Sequence, residues 1–265
     1  MQRILTIIDK EWAEVFKNRV VLMTIVVLPL VFTFLPLGIL FATRSGTLPG
    51  GSTTDLPPQF EQMCAQTVGA TGGECMQIFI VNEFLLLFMM MPLAIPVAIA
   101  AYSIVGEKTT RSLEPLLATP ITTEELLAAK GLAAALPAVL ATWGAFAIFV
   151  AGMLLMGTPA AVYHSLFSPT WLVAVIIVGP LLATLAVNFA IIVSSRVSDP
   201  RTAEQVSMII IVPLIGLLFG QIAGVLLINA QLMAVVAVVL AVLDVGLIYL
   251  GARWFRRETI LTQWK

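Results

Sequence analysis

Val20–Ala42 reads VVLMTIVVLPLVFTFLPLGILFA, without one charged side chain from end to end. A helix rises ~1.5 Å per residue and a bilayer core is ~30 Å thick, so a run of this length crosses it. Working outward, five more such runs follow: Phe84–Val105, Gly131–Met156, Trp171–Val193, Val206–Ile228 and Leu232–Gly251. The chain of 265 residues is 60% hydrophobic and 11% charged, with a mean hydropathy of +1.03. Soluble domains carry about 25% charged residues, so water cannot cover this surface and lipid must. The expected fold class is an all-α integral membrane protein of six transmembrane helices. Asn229, Ala230 and Gln231 are the whole link between the last two runs, which predicts a tight hairpin. Gly216, Gly220 and Gly224 mark the fifth run as the place where a re-entrant segment would lie.

Orientation follows from the basic residues. Arg3, Lys10, Lys17 and Arg19 precede the first run, and Lys108, Arg111 and Lys130 separate the second from the third. Arg196 and Arg201 separate the fourth from the fifth, and Arg253, Arg256, Arg257 and Lys265 follow the sixth. Six crossings gather all of these on one side and leave only Arg44 opposite. The expectation is a multi-pass protein of the cell (plasma) membrane with both termini cytoplasmic.

Residues 1–19 hold too many charges for a cleavable signal core, so none is expected. Ile4, Ile8, Trp12, Val15 and Phe16 recur at helical spacing, while Lys10, Glu14 and Lys17 share another face. This pattern predicts an amphipathic interfacial helix over 1–19, with Trp12 at the headgroups. Residues 20–265 form the six-span domain, with an outer loop over 43–82 and a cytoplasmic tail over 252–265. Cys64 and Cys75 fall together in that outer loop, where an oxidising environment would let them pair as a disulfide.

Other function classes lack their residues. No basic stripe with interleaved aromatics supports nucleic-acid binding. The single histidine, His164, and two separated cysteines give no metal-ligand spacing. No intramembrane protease motif is present. Gly106-Glu107-Lys108-Thr109 lacks the leading glycine of a phosphate-binding loop, so the chain is expected to bind no ATP itself.

The longest polar interruption on the inner side is Gly106-Glu-Lys-Thr-Thr-Arg-Ser-Leu-Glu-Pro-Leu-Leu-Ala-Thr-Pro-Ile-Thr-Thr-Glu-Glu125. Leu113, Leu116 and Leu117 fall on one face of a short helix that Pro120 would stop. This segment resembles the inner-loop motif of type-2 permeases of ATP-binding-cassette (ABC) transporters. The resemblance rests on Gly106-Glu107-Lys108, Arg111-Ser112-Leu113-Glu114 and Leu116-Leu117-Ala118-Thr119-Pro120, and the six-span layout matches it over the whole chain. Ser112 stands where glycine is commoner. The resemblance implies an exporter half, acting as a dimer with a second copy or a related permease. It implies that 106–125 is a coupling helix docked on a separate ABC ATPase subunit, which would bind ATP and magnesium. Glu107, Lys108, Arg111, Leu113, Glu114 and Leu117 would then transmit the motion, and this chain would not be an enzyme.

Within the membrane, Asp244 is the one acidic residue deep in a run, with Asn188 at comparable depth in the fourth. Buried ionisable groups normally face a bundle interior and have a partner. Asp244, Asn188 and Gln221 are therefore the pathway or gating candidates, with Asp244 expected to bond Asn188 or Thr184. An alternative from the same residues is a secondary transporter or channel using Asp244 as an ion or proton site. Trp171 and Tyr163 are expected in the outer aromatic belt, and Glu83 among the headgroups.

Overall fold

The structure, a computed structural model, describes residues 2–44, 72–109, 123–223, 225–226 and 228–254. Among these residues all regular structure is helical, and six helical stretches are long and apolar enough to span a membrane. They run Val21–Thr43, Gly73–Ser103, Glu125–Leu155, Ala160–Arg196, Pro200–Ile222 and Ala230–Gly251, here spans one to six. An N-terminal helix, α1 (Gln2–Val15), precedes them.

Span two is the axis of the bundle. Of its apolar window 89% is buried, against 28% for spans one and three and 11% for span five. Spans one, three, four and five pack around it. It begins at Gly72, inside the segment expected as outer loop, and is built of two helices, Gly72–Phe88 and Met91–Thr109. Pro92 causes the break, because it has no N–H to donate to the carbonyl one turn back. The second helix restarts with Ala94 N–H donating to the Met90 carbonyl, and Pro92 sits in its first turn, where a missing N–H is tolerated.

Span four departs most from the uninterrupted run expected over Trp171–Val193. It opens with a short helix, Ala160–Leu166, entered through Gly157 at φ 62°, a left-handed conformation that glycine adopts without steric cost. Tyr163 and His164 stack in that short helix at 4.5 Å. A π-helical turn, Ala174–Val178, then precedes the helix Gly179–Arg196. In this turn Gly179 N–H donates to Ala174 O, so the next donor in register would be Pro180, which has none. Trp143 Nε1 of span three fills the gap by donating to Val175 O at 3.0 Å.

Trp171 is fully buried and not part of an outer belt. It stacks on Phe146 at 5.8 Å and meets Phe88 edge-on at 6.1 Å, locking spans two, three and four together. Its indole donates to Asn82 Oδ1 at 3.3 Å.

Capping moves the ends of spans five and six. Asp199 caps a helix that starts with Pro200, accepting from Thr202 N–H at 2.9 Å, so span five starts before the expected Val206. A 3₁₀ turn over Met208–Ile211 leads into the helix Val212–Ile222, so the link to span six begins at Ala223. Asn229 caps the last helix, Ala230–Trp254, accepting from Leu232 N–H at 2.8 Å.

Candidate functional site

Span three is a helix of 33 residues, Thr123–Leu155, about 50 Å long and so well beyond the ~30 Å of hydrocarbon. The N-terminal helix α1 packs against its first turns. Ile7 buries against Leu126 and Ala129 with Ile4 alongside. Leu5 and Phe16 stay exposed.

A closed polar triangle fastens this contact. Lys130 Nζ donates to Glu11 Oε1 at 2.7 Å and to Ser103 Oγ at 2.9 Å. Ser103 Oγ in turn donates to the other carboxylate oxygen, Glu11 Oε2, at 2.5 Å. All three residues are buried, with Glu11 at 2% and Lys130 at 7% exposure. A charge buried this deeply is tolerable only when paired and hydrogen-bonded, and the triangle pairs Lys130 with Glu11 while Ser103 bridges them.

Trp12 makes the second fastening. Its Nε1 donates to Ala133 O at 2.9 Å, the carbonyl that a helix would normally pair with residue 137. That residue is Pro137, inside the span-three helix and without an N–H. The indole thus serves a carbonyl that proline orphaned.

The clasp has a definite place in the chain. Ser103 stands near the end of span two, just before 106–125, and Lys130 stands just after it. Glu107 and Lys108 belong by backbone to the last turn of Met91–Thr109. Arg111, Leu113, Glu114 and Leu117 lie outside the described residues. So does Cys64, while Cys75, buried in the first turn of Gly72–Phe88, is disulfide-bonded.

The three intramembrane candidates do not converge. Asp244 is 4% exposed, and neither of its carboxyl oxygens has a hydrogen-bond partner among the described residues. The bond expected to Thr184 or Asn188 is not formed. The Thr184 hydroxyl donates to Pro180 O at 2.9 Å, and Asn188 lines a cavity between spans three, four and six. Gln221 reaches Glu83 and hydrogen-bonds its carboxyl group, tying span five to span two. Glu83 is therefore half-buried between helices. Sequence reading missed the clasp because Glu11 and Lys130 are 119 positions apart. The signal that finds it is the pairing of Trp12 with Pro137, a stray indole donor and an orphaned carbonyl.

No group of three or more potential metal ligands occurs among the described residues. Residues 5–253 match the model of a family described as ABC-2 family transporter protein. No curated protein matches the chain at a significant level. With nearly its whole length matched and six helices able to span a membrane, this protein belongs to the ABC-2 transporter family, as a membrane-spanning permease subunit.

Proposed function

We propose that this chain is the permease half of an ABC exporter, paired with a second copy or a related permease and driven by a separate ATPase subunit. ATP and magnesium are held by that partner, and this chain performs no chemistry. Both termini face the cytoplasm, in keeping with the thirteen basic residues that six crossings place there. Segment 106–125 is the coupling helix, with Glu107, Lys108, Arg111 and Glu114 setting register and Leu113 and Leu117 docking.

The observation that carries this reading is the Glu11–Ser103–Lys130 clasp. It ties α1 to both spans that flank 106–125, so a push on that segment reaches spans two and three and α1 as one unit. Alternating access then follows from moving the central span against the less buried ones. Cys64 and Cys75 pair across the outer loop in this arrangement.

Co-purification with a candidate ATPase tests the reading. Wild type should retain the ATPase, and Glu114→Arg with Leu117→Asp should release it. Equal retention by both would refute the coupling assignment.

A second reading has one observation in its favour, the two unpartnered oxygens of Asp244. Asp244 would be an ion or proton site in the pathway. Transport unaffected by Asp244→Asn would leave it only a packing role.

A further inference from the structure

Spans three and six both pack on span four but barely touch one another. Between them lies a cleft of about 730 Å³ with Thr184, Val187 and Asn188 of span four among its lining residues. On one wall are Gly131, Leu132 and Ala135 of span three; on the other are Ile248 and Tyr249 of span six. Leu132, Ile248 and Tyr249 are exposed at 46%, 52% and 66%, so the cleft opens sideways into the region that lipid occupies. Its lining includes Leu127, three residues before Lys130 of the clasp, and Gly251, near the end of the helix Ala230–Trp254.

We propose that this cleft binds one phospholipid from the leaflet on the side of the chain termini, with an acyl chain between spans three and six. Three features select this occupant. The walls are almost wholly apolar, and interiors of this kind are filled rather than left void. The size suits a single long chain, within the ~300–1,000 Å³ of ligand sites. In sequence the lining residue Gly251 is followed by Arg253, Arg256 and Arg257, and basic residues directly after a span favour an anionic headgroup. Asn188 supplies the one side-chain amide of the lining, to which an ester or hydroxyl group can bond. This inference needs only the embedding of the six spans and is independent of ATP coupling or substrate.

Small residues on the span-three wall make the test specific. A Cβ added at Gly131 would meet only Val187 Cγ1, at 3.8 Å, an ordinary contact. Gly131→Ala should therefore keep the lipid, whereas Gly131→Phe and Ala135→Trp fill the cleft. Val238→Phe, on the exposed face of span six outside the lining, serves as control. The full chain, purified in detergent and incubated with phosphatidylglycerol, is examined by native mass spectrometry. Wild type, Gly131→Ala and Val238→Phe should carry a lipid adduct, and the cleft-filling variants should bind it roughly tenfold less tightly. Phosphatidylcholine should bind more weakly than phosphatidylglycerol. In parallel, a phospholipid with a diazirine on its acyl chain is photolysed in wild-type proteoliposomes, a readout that depends on no variant folding. Labels should map to 127–135, 184–191 and 245–251. Equal adducts on wild type and Gly131→Phe, or labels spread evenly over the exposed spans, would overturn the proposal. So would a cleft-filling variant that loses self-association while its lipid adduct is unchanged, since the occupant would then be a second copy.

Discussion

Removing either member of the Glu11–Lys130 pair leaves the other charge buried without compensation. Glu11→Ala or Lys130→Met should each cost roughly 3–5 kcal/mol, whereas Glu11→Leu with Lys130→Met should recover most of it. Thermal unfolding in detergent reads both, and additive losses would contradict the clasp. Trp12 gives a sharper cycle. Trp12→Phe leaves Ala133 O without a donor, costing about 1–3 kcal/mol, but Pro137→Ala restores the helix's own N–H. The penalty of Trp12→Phe should therefore shrink in the Pro137→Ala background, and an undiminished penalty would show that the indole does something else. Asp199 carries a pH dependence of known sign. Hydrogen bonds from the Thr202 backbone and hydroxyl, with help from Arg201, hold its pKa below the ordinary carboxylate value. Its capping contribution is thus present above the unfolded pKa and lost as pH falls through the folded one. Proteolytic clipping near Pro200 should rise on acidification through that range in wild type and be high throughout in Asp199→Ala. These residues were only half legible in the sequence. Lys130 was visible as one of the basic residues marking a side of the membrane, but its partner is far along the chain. Trp12 and Trp171 carry an apolar body with one polar atom, and residue type alone does not say whether that atom meets a headgroup or a carbonyl.

At the scale of elements, glycine at 152 allows spans one and three to approach closely. A Cβ there would stand 2.6 Å from Leu37 Cδ1, a side chain that is itself buried. Gly152→Val should cost about 1–3 kcal/mol through forced repacking of Leu37, measured by thermal unfolding, and Leu37→Ala should relieve part of that cost. No relief would place the penalty elsewhere than at this contact. All six spans were legible as apolar runs, but caps such as Asp199 and Asn229 set ends that the runs did not give. The interruptions were not. The break at Met89–Met90 and the π turn at Ala174–Val178 lie inside stretches apolar on every face, where hydrophobic periodicity carries no information. Pro92 and Pro180 tell where a donor is missing and not how the chain responds. The early start of span two at Gly72 was hidden by Glu74, Gln77, Asn82 and Glu83, of which the fold buries Gln77 and partly covers the others.

For the whole molecule, a single central span surrounded by weakly covered ones is the property that matters. Span two connects directly to the clasp and to 106–125, while spans five and six present most of their surface outward. Asp244→Asn, which keeps the shape and removes the charge, should leave the fold intact and impair transport if the group faces the pathway. Unchanged transport would assign it to packing. The six spans were readable from their apolar runs and the family from the 106–125 motif, whereas the tertiary clasp required the structure. The most direct test of the coupling claim is a photo-crosslinking amino acid placed at Leu117 and, separately, at Leu155, which is exposed at the far end of span three. With the ATPase co-expressed, the probe at 117 should give a covalent adduct with the ATPase and the probe at 155 none; no adduct from 117, or an adduct from 155, would contradict the account.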